Sequence, residues 1–161
     1  MRVNISDILR NESTGLEVEY SGKVEGLENP VNGYNLAENV NFKGNITRLK
    51  GLLNLKGVLE FCYDVSCYRC LDNIHRNVSI DVDEKILDAS KASPREDVFT
   101  YEGYYLDMDI IFKNYIVLNL PMKQLCSEEC KGLCPVCGKN LNNEECNCNE
   151  KEHINEWKIE W

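Results

Sequence analysis

Cysteine placement constrains this chain more than any other feature of its sequence. Six of the nine cysteines fall within residues 126–148, a stretch with almost no aliphatic side chains and many Asn, Glu and Lys. Such a segment cannot bury enough apolar surface to offset the conformational entropy of ordering it, so something covalent or metallic must hold it. The opening MRVNISDILRNES has no apolar signal core, and the chain reads as cytoplasmic. In that compartment thiols stay reduced, so clustered cysteines point to metal ligation or redox chemistry before structural disulfides.

Within the cluster, Cys134-Pro135-Val136-Cys137-Gly138 has the form of a zinc knuckle. C-x2-C spacing turns the backbone round an ion with amide N–H groups aimed at the first thiolate, and Gly138 tolerates the positive φ such a turn demands. A knuckle supplies two ligands, and a structural zinc needs four. Cys146 and Cys148 would complete one site as a small zinc ribbon. Cys67 and Cys70, a second C-x2-C pair, then match Cys126 and Cys130 as a second four-thiolate site. Other partitions stay open: Cys130 joining Cys134 and Cys137 with Cys126 left over, a single site drawn from the tail, disulfides, or an iron–sulfur cluster. The expected cofactor is Zn2+, as one or two structural ions. His153 is an optional replacement ligand, although it reads more simply as a solvated polar residue, as does His75. Cys62, in the alternating run VLEFCYDV, reads as a small buried hydrophobe on a strand.

The rest of the chain carries period-two patterning. Leu16, Val18 and Tyr20 alternate with Glu17, Glu19 and Ser21, the mark of a half-buried strand. Three further strand runs follow, through Val40 and Ile46, through Leu53 and Tyr63, and through Ile74 and Val82, implying an antiparallel meander. Their length, with Gly44 and Gly57, suggests curvature. Ser6 is a candidate cap for an early helical turn, NPVNGYN is turn chemistry, and VFTYEG is a candidate edge strand in a loop from Ala89 to Tyr105 that contains Ser93-Pro94. Asp107 can cap a helix from Met108 to about Asn119, with Ile110, Ile111, Tyr115 and Leu118 as its core stripe and Pro121 as its stop. The expected fold is α+β, mainly β: a curved antiparallel sheet or partly open barrel with one main helix and a C-terminal zinc-bound tail. Residues 1–121 would form the sheet-plus-helix domain, 122–150 a cysteine-rich tail packed on the sheet, and 151–161 a C-terminal extension.

Charge narrows the function. With 27 acidic and 18 basic residues, the formal charge is -9, which opposes a nonspecific grip on a polyanion, since that grip comes from Lys and Arg displacing counterions. The longest apolar stretch, residues 110–120, is broken by Lys113 and Asn114 and falls well short of the ~20 residues a membrane span needs. There is no Gly-rich phosphate loop, no G-x-S-x-G and no H-E-x-x-H. An open catalytic zinc keeps a position for water, whereas thiolates here are numerous enough to close every position. The reading is therefore a non-enzymatic binding scaffold, without a membrane or small-molecule substrate.

SCYRCL, followed some fifty residues later by the apolar helix, LPM, LCSEECKGLCPVCGKNLN and a final CNC, resembles the YceD-like family of large ribosomal RNA subunit accumulation proteins. The resemblance runs from about Leu16 to Cys148. It implies a bacterial, cytoplasmic, non-enzymatic factor in ribosome biogenesis that supports accumulation of large-subunit ribosomal RNA. After Cys148 the aromatic HINEWKIEW departs from that pattern, so no family role passes to Trp157 or Trp161. Acidity favours a basic ribosomal or assembly protein as partner, with large-subunit rRNA contacted directly or indirectly. Two alternatives are an RNA-binding zinc module, in which Arg69, Lys123, Lys131 and Lys139 meet phosphates, and a redox protein using Cys67 and Cys70 as a dithiol.

Overall fold

A computed structural model describes the chain except for residues 12–14, 28–32, 37–38, 94–97 and 149–161. The Ser93-Pro94 connection and the NPVNGYN turn lie partly outside the described residues. His153, Trp157 and Trp161 lie wholly outside them. The chain divides into two compact units. The first comprises Met1–Asp64 and His75–Pro121, and the second Val65–Ile74 and the described residues from Met122 onward.

In the first unit, β1 (Arg2–Asn4) leads into α1 (Ser6–Arg10), and β2 (Leu16–Gly22), β3 (Val40–Leu49), β4 (Leu52–Ser66) and β5 (Asn73–Asp88) follow. Then come β6 (Phe99–Tyr101), β7 (Tyr105–Asp107) and α2 (Met108–Asn119). The ends of β4 and β5 that face each other in sequence, Val65–Ser66 and Asn73–Ile74, already belong to the second unit. Five strands make one open sheet in the order β2-β3-β4-β5-β6, and β1 pairs with β7 in a second, two-stranded one.

Register follows the alternation of apolar residues. Val40, Phe42 and Ile46 of β3 and Leu53, Leu55, Leu59 and Phe61 of β4 are all buried. Asn41, Lys43 and Glu60 between them are exposed, as one buried face requires. The β3–β4 hairpin turns through Lys50 and Gly51, at φ 53° and 82°, between the paired Leu49 and Leu52. Positive φ at both central residues is the two-residue turn whose twist suits antiparallel strands. Gly44 faces Gly57 across the same pair. A Cβ on Gly57 would come within 2.6 Å of Phe42 Cζ and 2.5 Å of the Lys43 carbonyl oxygen, so both positions must lack one. Phe42 in turn packs on Phe112 of α2, ring centroids 5.0 Å apart, and Tyr20 stacks on the same ring at 5.8 Å.

Three expectations need correction. The main sheet is mixed rather than antiparallel: β6 joins β5 in parallel, Ile86 opposite Phe99, a pairing between strands that alternation within each one does not record. The apolar stripe of α2 is also displaced. Met108, Ile111, Phe112 and Ile116 are buried, whereas Ile110 is 62% and Leu118 78% exposed. At about 100° per residue, Ile110 lies some 200° round from Phe112, so the two cannot share a face. Finally, Ser6 is already helical. Ile5 holds the cap position of α1 without a side-chain bond, and the Asn4 Oδ1 accepts from the Ser6 amide at 2.9 Å. Asp107 does cap α2, its carboxylate accepting from the Asp109 amide at 3.1 Å.

Candidate metal centre

The second unit contains two turns built on one backbone plan. In Cys67–Asp72 the Leu71 amide donates to the Cys67 carbonyl at 3.0 Å, and the Cys67 amide to the Asp72 carbonyl at 2.8 Å. In Cys134–Lys139 the Gly138 amide donates to the Cys134 carbonyl at 2.9 Å, and the Cys134 amide to the Lys139 carbonyl at 2.8 Å. Each turn also aims an amide at its first sulfur: Arg69 at Cys67 Sγ, 3.5 Å, and Val136 at Cys134 Sγ, 3.4 Å. Leu71 and Gly138 occupy the same place, with φ of 62° and 74°. Glycine takes that conformation freely, whereas leucine is strained in it.

Around these turns the described thiols gather in fours. Cys67, Cys70, Cys126 and Cys130 form one group and Cys134, Cys137, Cys146 and Cys148 the other, the sulfurs of each lying within 4.8 Å of one another. Cys67 Sγ is 3.8 Å from Cys130 Sγ, and Cys70 Sγ is 3.6 Å from Cys126 Sγ. A tetrahedral ion with arms of 2.3 Å sets its sulfurs about 3.8 Å apart, whereas a disulfide would draw two of them to about 2 Å. The spacing fits a tetrathiolate ion, and none of the nine cysteines is disulfide-bonded. Cys62 is buried in β4, in neither group.

The two groups differ in cover. Cys67, Cys70 and Cys130 are buried with Ile74, and Val65, Leu125 and Leu133 pack against them. In the other group only Cys134 is buried, Cys137 is exposed, and Cys146 and Cys148 are intermediate.

Polar partners trim both. Arg69 Nη1 donates to the Cys130 carbonyl at 2.9 Å and more weakly to that of Glu128 at 3.4 Å, pinning the loop that carries Cys126 and Cys130. The Cys126 amide points at Cys67 Sγ, 3.4 Å, and the Asn142 side-chain amide at Cys130 Sγ, 3.4 Å. Asp72 Oδ2 lies 3.3 Å from Cys70 Sγ and accepts from Asn140 Nδ2 at 2.9 Å. Lys139 pairs with Glu144 at 3.1 Å.

Acidity is correspondingly uneven. Burial opposes ionisation of Cys67, but the amides of Cys70, Arg69 and Cys126 outweigh it and bring the thiol down to about 6. The amides of Cys137 and Val136 likewise bring Cys134 to about 6. Others move the opposite way: the neighbouring Cys130 sulfur raises Cys126, and Cys137 together with burial pushes Cys148 up to about 12. Four sulfurs at this separation cannot all carry charge unless a cation lies among them.

His75 sits outside both groups, half-exposed, its Nδ1 2.8 Å from Asp64 Oδ1. Sequence reading missed the parts played by Asp72, Asn140 and Asn142. Their only signal is the Asn-rich spacer between the ligand pairs, which looks like any polar turn. Leu71 was missed too, although it stands where Gly138 stands after the second cysteine of its turn.

Among the described residues no helix is long and apolar enough to cross a membrane. The family described as "Large ribosomal RNA subunit accumulation protein YceD" matches residues 55–159, well over half of the chain and all eight of these cysteines. No curated protein and no solved structure matches the chain.

Proposed function

The chain belongs to the YceD family, whose role lies in accumulation of large-subunit ribosomal RNA, and from that premise we propose that it acts as a non-enzymatic, zinc-stabilised scaffold that grips a basic ribosomal or assembly protein. The observation carrying this reading is the pair of four-sulfur groups, each with its sulfurs within 4.8 Å of one another and the first with two sulfur pairs at 3.8 and 3.6 Å, close to tetrahedral spacing. With Cys67, Cys70, Cys126 and Cys130 on one ion and Cys134, Cys137, Cys146 and Cys148 on another, no coordination position remains for water or substrate, and the metal serves structure. Each ion with four thiolates adds a net charge of −2 to a chain already at -9, which favours a cationic partner.

Direct rRNA contact is the second reading. Exposed Tyr68, with Lys123 Nζ 5.3 Å from its ring centroid, favours it. Against it, Arg69 is engaged with carbonyl oxygens and Lys139 with Glu144, which leaves fewer cations for phosphates. The dithiol reading has less support, since Cys67 and Cys70 each lie against a further thiol.

Metal analysis tests the scaffold: two zinc ions per chain and no visible absorbance are expected, and a coloured iron-containing protein would refute zinc. Affinity capture by the intact chain from an extract, with and without ribonuclease, tests the partner. Retention of a basic ribosomal or assembly protein after digestion is expected. Its loss on digestion would favour rRNA.

A further inference from the structure

The segment between Cys137 and Cys146 belongs by sequence to the second tetrad, yet its side chains reach the first. Around Asn140 the chain folds into a tight turn: the Asn143 and Glu144 amides donate to the Asn140 carbonyl at 3.1 and 3.0 Å, and the Asn142 amide to Asn140 Oδ1 at 3.0 Å. Asn142 uses its whole side chain. Its Oδ1 accepts from the Lys131 amide at 2.8 Å, and its Nδ2 donates to Asn140 Oδ1 at 2.8 Å and points at Cys130 Sγ, 3.4 Å away. Asn140 Nδ2 holds the Asp72 carboxylate beside Cys70. One sulfur of the first tetrad, that of Cys130, therefore takes a donor from a turn whose ends are the ligand pairs of the second, and the carboxylate beside another, that of Cys70, is held from the same turn.

Polar contacts hold the turn itself, the Leu141 amide on the Gly132 carbonyl at 2.9 Å and Lys139 on Glu144 at 3.1 Å among them, but its ends are poorly covered. Cys137 is exposed and Cys146 and Cys148 are half-covered, so an ion bridging Cys134 and Cys137 to Cys146 and Cys148 would fix those ends. Once closed, the turn places one N–H donor on the Cys130 sulfur. It also gives the Asp72 carboxylate a partner in the state where the adjacent Cys70 is a thiolate and the two anions repel. Outer-shell donors of this kind raise metal affinity by 10- to 100-fold.

We propose that Asn140 and Asn142 are positioning residues that couple the two tetrads, so that an ion at Cys134, Cys137, Cys146 and Cys148 tightens binding of the ion at Cys67, Cys70, Cys126 and Cys130. The inference rests on reading both tetrads as metal sites. Linkage makes the coupling reciprocal: whatever factor the second ion gives the first, the first returns.

The test uses the full chain, stripped and titrated with Co2+. Native mass spectrometry counts ions per chain, and the thiolate-to-cobalt absorption reports affinity against a chelator. At one equivalent, coupling predicts chains with none or two ions, with one-ion chains scarce. Cys137→Ser, which disables the second tetrad, should weaken the first about 10- to 100-fold, and Cys70→Ser should weaken the second by the same factor. Asn142→Ala leaves all eight thiols in place and should weaken the first tetrad about tenfold. In the Cys137→Ser background it should add little, because both changes remove one interaction. One-ion chains predominating at one equivalent, with the first tetrad's affinity in Cys137→Ser within twofold of the wild type, would overturn the coupling and leave the metal reading standing. A wild-type chain that takes up no cobalt would overturn the metal reading itself, and the coupling with it.

Discussion

The two units of this protein reach order by different chemistry. In the first, Ile5, Ile8, Ile46, Leu53, Leu55, Leu59, Ile86, Leu106, Phe112 and Ile116 are essentially sealed from solvent. In the second, the buried hydrophobic residues among those described are Cys67, Cys70, Cys130, Cys134 and Ile74. One is a hydrocarbon core that aggregates because water expels it. The other is a set of thiols that cannot supply comparable burial, and the proposed cations would draw it together. Sequence length does not explain the contrast, but composition does. A strand such as Leu52–Ser66 carries an apolar residue at nearly every second position, whereas residues 126–148 carry three aliphatic side chains, Leu133, Val136 and Leu141.

The sharpest way to break the comparison is to remove the metal. A structural tetrathiolate zinc contributes on the order of 10 kcal/mol or more to the fold around it. Stripping by a strong chelator should therefore erase hydrogen-exchange protection in residues 65–74 and 126–148 while β2, β3 and the Leu52–Asp64 part of β4 keep theirs. Equal loss in both regions would mean that the units are not energetically distinct.

A core deletion should have the converse effect. Phe112→Ala removes the ring on which Phe42 and Tyr20 pack, and about 3 to 5 kcal/mol of sheet stability should go with it. Metal content should stay unchanged, which denaturant unfolding and zinc analysis together would check.

Smaller changes sharpen the contrast within each unit. Gly57→Ala puts a methyl group 2.6 Å from Phe42 Cζ and 2.5 Å from a carbonyl oxygen, and should lower the stability of the sheet, read by denaturant unfolding, by about 1 to 3 kcal/mol. Leu71→Gly is expected to stabilise: it relieves a left-handed leucine at φ 62°, worth roughly 1 kcal/mol, and should slow metal release slightly. Faster release would show that the exposed leucine side chain holds the turn in another way.

Protons give the smallest and most quantitative check. Metal binding displaces the protons of the thiols it ligates. In the ordered turns the amides hold Cys67 and Cys134 down at about 6, whereas Cys148 is pushed up to about 12. Stripping that disorders the turns removes those amides, so the thiols return towards the ordinary cysteine value and close to four protons per ion should appear when zinc is added to stripped protein at pH 7. Protons compete with the ion for the thiolates, so metal should be lost as pH falls. Calorimetry in buffers of different ionisation enthalpy would count the protons.

Much of the first unit was legible because its signals are local. Strand alternation located β2 to β5, Asp107 capped α2, and Pro121 follows its last turn. What escaped was relational. The face of α2 that is buried depends on Phe112 meeting Phe42, and the parallel entry of β6 depends on where the loop after Asp88 returns. The Gly44–Gly57 pairing depends on register between two strands. None of these follows from a residue's immediate neighbours.

The cysteines divide along the same line. By itself the sequence determined that residues 126–148 carry little hydrocarbon to bury, that Cys67-x2-Cys70 and Cys134-x2-Cys137 form turns, and that the chain belongs with the YceD family, because composition and short spacing act over a few residues. Only the tertiary structure decided that Cys126 and Cys130 lie against Cys67 and Cys70, and that Asn142 reaches Cys130. Spacing leaves several partitions of the thiols open. The choice among them is made where chain segments more than fifty residues apart are brought to within 4 Å, and a sequence carries no local record of that closure.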